Sequence, residues 1–187
     1  NVNHSTLTDP YLHEPKGVAT ASSGEVYIAN GSGSGNWKEL SRYVNGFVPF
    51  NSVTPYAYQH AVTTTFTPIN PTFTLEATNG FTATGTPNAR LTYVGGEDIV
   101  GPINFTLAYK NASGTERDVE LIFYKNGAVM NGGHLIVTAI SGQWNSATLT
   151  DITNLSTNDY VEVFVKASAA FTLDLASASL TILGVPN

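Results

Sequence analysis

Histidine and carboxylate side chains are the groups in this sequence that could bind a metal ion or transfer a proton. The four histidines, at positions 4, 13, 60 and 134, are never two or four residues apart, and the chain has no cysteine. This spacing matches none of the common patterns of a transition-metal site. His13 precedes Glu14, and such a pair could bind a ligand or respond to pH, although a polar surface contact is the simpler interpretation. We therefore predict no metal site and no cofactor.

Glu97 and Asp98 are the one pair of adjacent acidic residues, and they follow Gly95 and Gly96. In a glycine-rich loop, these carboxylates could hold Ca²⁺ together with backbone carbonyl groups. A loop that simply exposes its charges to water is the favoured interpretation. The sequence leaves the question of calcium open, because loops of this composition serve both purposes.

Asp118 and Glu120 alternate with Val119 and Leu121, so they share the outward face of one strand. We interpret them as a charged sheet edge that discourages pairing with other sheets, not as the carboxylate pair that cleaves a glycoside. The sequence has no Gly-x-Ser-x-Gly turn for a nucleophilic serine. Its glycine-rich residues 31–35 lack the Gly-Lys-Ser/Thr ending of a phosphate-binding loop. We predict that the protein is not an enzyme.

The composition favours β structure and argues against two classes of partner. Only 12% of the residues are charged, and the polarity comes largely from Thr, which suits strands, and from Asn and Ser, which suit turns. The net charge is −6, and the five Lys and three Arg are scattered singly, which argues against binding nucleic acid through its phosphates. No apolar run approaches the roughly 20 residues that cross a bilayer, so no membrane partner is predicted.

Alternating apolar residues predict a succession of short strands. Ile103, Phe105, Leu107 and Tyr109 alternate with small or polar residues, which is the pattern of a half-buried strand. The Asn-Gly pair at 126–127 is a strong hairpin signal. No window has a sustained helical period, so the predicted fold class is all-β, a sandwich or a barrel. The predicted strands are residues 25–29, 47–50, 56–58, 61–67, 72–76, 81–84, 90–94, 103–110, 116–125, 135–140, 147–152, 159–166 and 171–183.

Residues 1–42 differ from the rest and are predicted to form an extended N-terminal arm ahead of a head at residues 43–187. Residues 1–24 have no sustained period, and residues 30–36 have the composition of a flexible linker. A floppy terminus is the plain alternative. The arm has many large apolar side chains, so we predict that it becomes ordered on a partner. Its predicted contact residues are Tyr11, Leu12, Pro15, Val26, Tyr27, Ile28 and Trp37.

Two stretches resemble structural proteins of bacteriophages. The segments LHEPKGVATA at 12–21, GEVYIA at 24–29 and GSGNW at 33–37 look like an N-terminal segment that recurs in virion proteins of tailed phages. Residues 79–185 resemble the jelly-roll module of phage head-decoration and fibre proteins, which is similar in outline to the heads of tumour necrosis factor and complement C1q. This second resemblance rests on NARLTYVG at 88–95, FYKNG at 123–127 and LSTNDYVEV at 155–163.

The resemblance implies a jelly-roll β-sandwich that forms a homotrimer on the outer capsid surface of a virion. The implied function is that of a capsid decoration, or cement, protein whose arm binds the major capsid protein and stabilises the shell. The alternative is the receptor-binding head of a tail or head fibre, whose loops recognise a glycan of the host surface. A hydrolase of surface polysaccharide has little support, because no convincing carboxylate pair is present.

The predicted strand at 159–166 has large residues on both faces. Its three valines share one face, which should pack in the core of the sandwich. We predict that Tyr160, Glu162 and Phe164, on the other face, line the trimer interface. The alternative is that Phe164 packs under a loop of its own chain. Further candidates for contact surfaces are Tyr56, Tyr58 and Trp144.

Overall fold

The computed structural model describes residues 21–22, 25–29, 35–48, 58–70, 73–84 and 89–187. Within these ranges the chain forms β-strands and no helix. The chain divides into two compact units, with the boundary between Leu40 and Ser41. Three residues of the predicted arm, Tyr11, Leu12 and Pro15, lie outside the described ranges.

The described part of the N-terminal unit is a two-stranded antiparallel sheet. Strand β1 (Glu25–Ala29) pairs with β2 (Gly35–Glu39), and Tyr27 lies directly opposite Trp37. The centroids of these two rings are 5.4 Å apart and their planes are inclined by 64°, which is an edge-to-face contact. The strand predicted at residues 25–29 is therefore confirmed.

The prediction of a flexible linker over residues 30–36 is wrong at its C-terminal end. Gly35 and Asn36 are the first residues of β2, opposite Ala29 and Ile28. A Cβ atom at Gly35 would overlap the carbonyl oxygen of Ile28, so glycine permits the close approach of the two strands. Composition alone does not separate a glycine that loosens a chain from one that lets two backbones meet. Residues 30–34 lie outside the described ranges.

The second unit, here called the head, contains the remaining described strands. They are β3 (Arg42–Val48), β4 (Tyr58–Val62), β5 (Thr67–Pro68), β6 (Thr74–Asn79), β7 (Phe81–Thr84), β8 (Arg90–Tyr93), β9 (Ile99–Asn111), β10 (Arg117–Lys125), β11 (Ala128–Ala139), β12 (Trp144–Leu155), β13 (Tyr160–Ala167) and β14 (Phe171–Pro186). They form two antiparallel sheets of six strands each, packed as a sandwich.

The order of the strands in the two sheets is that of a jelly roll. The front sheet has the order β12-β9-β14-β3-β6, with β4 also paired to β14. The back sheet has the order β11-β10-β13-β8-β7, with β5 also paired to β13. From β8 onward the chain passes between the sheets at every connection except the β10–β11 hairpin, which produces the interlocked Greek keys of this fold. The all-β jelly-roll sandwich is therefore confirmed.

The core lies between the sheets and follows the predicted alternation. Every second side chain of β9 points inward, as do the three valines of β13. Burying a large apolar side chain stabilises a fold by roughly 1.5–3 kcal/mol, so these rows hold the sheets together. The buried residues of the two strands include Ile103, Phe105, Leu107, Tyr109, Val161, Val163 and Val165.

One strand prediction fails at a threonine turn. Residues 61–67 are not a single strand, because β4 ends at Val62 and β5 begins at Thr67. The Thr63 hydroxyl donates to the Thr65 carbonyl at 2.9 Å and accepts from the Thr65 amide at 3.3 Å. Threonine can extend a strand or turn the backbone through its hydroxyl, and here the local hydrogen bonds decide for the turn.

The hairpin at residues 126–127 is confirmed, and the strand after it is longer than predicted. Asn126 has φ 52° and Gly127 has φ 77°, both in the left-handed region that this hairpin requires. Strand β11 begins at Ala128 rather than at residue 135. Gly133 lies within β11, where a Cβ atom would collide with the ring of Phe123. The glycines of β11 therefore do not interrupt the strand.

Asn111 closes the end of β9 as a fully buried amide. Its Nδ2 donates to the carbonyl oxygens of Thr115 at 2.8 Å and Ala139 at 2.9 Å. Its Oδ1 accepts from the backbone amide of Ser113 at 2.8 Å and from the Ser113 hydroxyl at 2.6 Å. One side chain thus holds the β9–β10 loop against the end of β11.

We expect Asn111→Ala to lower the free energy of unfolding by about 3 kcal/mol, because it leaves buried backbone groups without partners. The measurement is urea denaturation followed by circular dichroism. Asn131→Ala, at an exposed position of β11, is the matched control and should change stability by less than about 0.5 kcal/mol. Equal effects of the two substitutions would contradict this role of Asn111.

Candidate functional site

The described residues hold no constellation for metal binding. His60 is buried in β4 and His134 is exposed on β11. In the part of the chain that the structure describes, no three His, Cys, Asp or Glu side chains are grouped so that they could hold an ion. His4, His13 and Glu14 lie outside that part. The described ranges also contain no helix long and apolar enough to span a bilayer. Candidate sites therefore have to be sought on the surfaces of the sheets.

The loop of Glu97 and Asp98 uses its carbonyl groups within the chain. The Tyr93 hydroxyl donates to the carbonyl oxygen of Glu97 at 2.6 Å. The backbone amide of Asn187 donates to the carbonyl oxygen of Asp98 at 2.9 Å. A calcium site in this loop would need such oxygens as ligands, so these hydrogen bonds favour the interpretation as an ordinary loop.

The outward side chains of β12, β9, β14 and β3, here called the front face, are nearly all uncharged. Lys110 and Asp174 are the two charged residues among them, and both lie at one end of the sheet. The others are uncharged polar or apolar residues: Tyr43, Asn45, Phe47, Val100, Pro102, Asn104, Thr106, Ala108, Trp144, Ser146, Thr148, Thr150, Ile152, Asn154, Thr172, Ser177, Ser179, Thr181, Leu183 and Val185.

An apolar stripe crosses the front face at the opposite end. Ile152 on β12 lies opposite Pro102 on β9, and Leu183 on β14 lies opposite Tyr43 on β3. The two pairs are neighbours, because the backbone at Gly101 packs against the carbonyl group of Leu183. Ile152 is 69% exposed, and Leu183 and Tyr43 are also exposed. A contiguous exposed apolar patch of this kind is typical of an interaction surface.

The outward side chains of the back sheet, here called the back face, carry charges that pair within the chain. Glu120 lies 3.0 Å from His134 Nε2 and 3.0 Å from Lys166 Nζ. Arg90 lies 3.0 Å from Glu162. The two faces of the sandwich therefore differ sharply: one is crossed by ion pairs and the other is almost neutral.

The interpretation of Asp118 and Glu120 as a charged sheet edge is wrong, because β10 lies between β11 and β13. The alternation places both carboxylates outward, as predicted, but it does not reveal the neighbours of the strand. Asp118 accepts a hydrogen bond from the Thr138 hydroxyl at 3.0 Å. Burial raises the pKa of Glu120, but the hydrogen bonds and charges of Lys166 and His134 lower it by more, so it lies below its ordinary value.

The predicted trimer-interface residues already have contacts inside one chain. Glu162 is only 3% exposed and is paired with Arg90, whose guanidinium lies 4.0 Å from the ring centroid of Tyr160. Phe164 stacks on Tyr124 with centroids 3.8 Å apart. Tyr124 also contacts Phe66, which follows the threonine turn. These contacts favour the alternative in which the aromatic face of β13 packs within its own chain, and the interface remains a prediction.

Trp144 is the centre of a polar and aromatic cluster at the charged end of the front face. It lies directly opposite Lys110, whose Nζ is 5.5 Å from the ring centroid. Lys110 Nζ is 3.7 Å from Asp174 Oδ2, and Gln59 Nε2 donates to Asp174 Oδ1 at 2.9 Å. Sequence reasoning named Trp144 as a contact candidate but missed the other three. They lie on separate strands, and only the sheet pairing brings them together.

The described arm residues are divided between the two faces of the β1–β2 sheet. Tyr27 and Trp37 share one face, while Val26 and Ile28 share the other. A two-stranded sheet has little stability by itself, and this one carries large apolar side chains on both faces. The role of these residues in binding a capsid remains a prediction.

No family model and no curated protein matches this chain. Among solved structures, the fold is similar to TNF-like jelly-roll proteins. Murine APRIL has a TM-score of 0.49 and 12% identity over 78% of this chain and 99% of that chain. Eiger TNF from S. frugiperda has a TM-score of 0.47 and 11% identity, over 76% of this chain and 90% of that chain. The vertex protein P5 of PRD1 has a TM-score of 0.46 and 12% identity, over 80% of this chain and 99% of that chain. At this level of identity the likeness concerns the fold alone.

His60 is the buried titratable group of β4. Its Nδ1 accepts from the backbone amide of Asn70 at 3.4 Å, and its Nε2 is buried with no hydrogen-bond partner among the described residues. Burial lowers the pKa of His60 below its ordinary value of 6.5. The folded head therefore favours the neutral ring, while the unfolded chain takes up a proton as the pH falls below about 6.5.

We expect the free energy of unfolding to fall as the pH drops from 7.5 to 5, and His60→Gln to flatten this dependence. Glutamine keeps an acceptor for Asn70 but does not titrate. The measurement is urea denaturation at several pH values. His134→Gln, which removes an exposed histidine, should leave the contribution of His60 in place. If the free energy of unfolding of His60→Gln fell with pH as steeply as that of the original chain, His60 would not be the group that governs stability between pH 7.5 and 5.

Proposed function

We propose that this protein is a bacteriophage capsid decoration protein that binds the outer capsid surface through its N-terminal arm. The observation that carries this proposal is the β1–β2 sheet, which has Tyr27 and Trp37 on one face and Val26 and Ile28 on the other. Such a small sheet needs a surface to pack on. The resemblance of residues 12–37 to the N-terminal segment of tailed-phage virion proteins suggests that this surface is the major capsid protein.

Decoration stabilises a shell through contacts that exist only after assembly. An arm that buries apolar side chains on the capsid binds the assembled shell and not its dissociated subunits, so mass action favours the shell. In a homotrimer, three arms are held together, and the second and third bind at high effective concentration. Moderate affinity of a single arm is then sufficient for lasting attachment.

Self-association through the front face fits this function better than association through the back face. The net charge of −6 makes copies of the chain repel one another, and a nearly neutral face allows the closest approach. We propose that the apolar stripe of Tyr43, Pro102, Ile152 and Leu183 lies in the interface.

Removing residues 1–40 tests the role of the arm. The head should remain folded, because the strands from Arg42 onward enclose their own core, but its affinity for capsids should fall at least 100-fold. The measurement is co-sedimentation with capsids of the phage that encodes the chain. In the full-length chain, the double substitution Tyr27→Ser and Trp37→Ser should also lower the affinity for capsids. Asn36→Ser is the matched control and should leave this affinity unchanged. Undiminished binding by the truncated head would refute the arm model.

The position of the protein on the particle tests the function as a whole. A reconstruction of the virion by electron microscopy should show copies of the head on the outer capsid surface, in groups of three. A location at the tail tip would contradict decoration and favour the receptor-binding alternative.

Leu183→Glu tests the proposed interface. A carboxylate in the apolar stripe loses its hydration on association. The dissociation constant of the trimer should therefore rise at least 100-fold, as measured by analytical ultracentrifugation. Ile136→Glu, at an apolar position on β11 of the back sheet that is at least as exposed as Leu183, is the matched control and should remain trimeric. If Phe164→Ala dissociates the trimer and Leu183→Glu does not, the interface lies on the back face around Tyr160 and Phe164.

A further inference from the structure

Trp144 is exposed at a place where the rest of the surface is polar. It is the first residue of β12, it is 41% exposed, and its neighbours on the front face are small uncharged residues such as Ser146 and Ala108. The indole is not part of the core, because the core lies on the other side of the sheet. An exposed Trp beside fixed polar groups is typical of a binding site.

The cluster lies far from the proposed interface between copies. Lys110, opposite Trp144, is eight residues along β9 from Pro102 of the apolar stripe, which is a distance of about 26 Å in a strand. The stripe lies at the end of the front sheet where Arg42 begins β3 and pairs with Gly184. The Trp144 cluster therefore occupies the opposite end of the head, and a ligand could bind there without disturbing association through the stripe.

Asp174, on the strand beyond Lys110, supplies a fixed acceptor in the same cluster. Its carboxylate is mostly buried, and the hydrogen bond from Gln59 Nε2 at 2.9 Å orients it. Lys110 Nζ is 3.7 Å from the other carboxylate oxygen, which is longer than a direct hydrogen bond. A hydroxyl group placed beside this pair can lie within hydrogen-bond distance of both atoms, accepting from the ammonium group and donating to the carboxylate.

From this arrangement we infer that the Trp144 cluster is a contact site for a neutral saccharide. The faces of the indole are electron-rich and attract the C–H groups on the flat side of a pyranose ring, and Lys110 Nζ lies over one of them, 5.5 Å from the ring centroid. The hydroxyl groups at the edge of the same ring can bind Lys110 and Asp174. These two charges cancel, and no other charged side chain lies on the outward side of β12, β9 or β14, while Glu76 of β6 is hydrogen-bonded to Asn45 of β3, so the site suits a neutral sugar better than an acidic one. Saccharide binding at this site is independent of capsid binding and goes beyond decoration, since it gives the head a means of touching host-surface glycans.

The full-length protein, with a printed array of neutral and acidic bacterial oligosaccharides as the probe, tests this inference. Binding should be confined to neutral oligosaccharides, and Trp144→Ala should weaken it at least tenfold in isothermal titration with the neutral oligosaccharide that binds most strongly on the array. Trp144→Tyr should retain most of the affinity, because it keeps an aromatic face. Asp174→Asn should weaken binding at least threefold, because it removes the charged acceptor.

Ile152→Ala is the matched control, because it truncates an exposed side chain of the same strand at the far end, and it should bind like the original chain. The thermal unfolding of each variant is measured so that loss of fold is not taken for loss of binding. Absence of binding to all neutral oligosaccharides, binding only to acidic ones, or equal binding by Trp144→Ala would overturn the inference. Capsid co-sedimentation of Trp144→Ala should be unchanged in every case, which separates this site from the proposed decoration function.

Discussion

The packing of the two sheets against each other is the constraint on which the rest of the head depends. Each central strand commits every second side chain to the core, so one face of each sheet is unavailable for any other purpose. The buried row of β9 is continuous from Ile103 to Asn111, and that of β13 from Val161 to Ala167. What the protein can bind is therefore decided by the two outer faces, the strand ends and the N-terminal unit.

Charged residues are concentrated on the back face of the head, and this distribution bears on which face can associate with other copies. The back face has ion pairs that close within one chain, such as Glu120 with Lys166 and Arg90 with Glu162. The partly exposed pair of Glu120 and Lys166 contributes little to stability, but its charges keep the surface hydrated and discourage association. The front face lacks such charges over most of its length and carries an apolar stripe instead. This asymmetry is the physical basis for placing self-association on the front face.

Three separate surfaces would then serve three contacts: the N-terminal sheet for the shell, the apolar stripe for other copies, and the Trp144 cluster for a saccharide. None of them requires a bond to be made or broken. All three depend on burial of aromatic or aliphatic side chains, with polar groups that orient the contact. A protein that works by adhesion needs this combination of rigid strands and exposed anchors.

The sequence by itself determined the fold class, because the period of two in Ile103, Phe105, Leu107 and Tyr109 can be satisfied only by strands that cover a core. It also determined the hairpin at Asn126-Gly127, since that turn is encoded by adjacent residues. Only the tertiary structure decided that β10 is internal and that Gln59, Lys110, Trp144 and Asp174 meet. The physical reason is that the alternation of apolar and polar residues indicates which side of a strand faces the core but not which strand lies beside it. Pairing between distant strands depends on the packing of the whole sandwich.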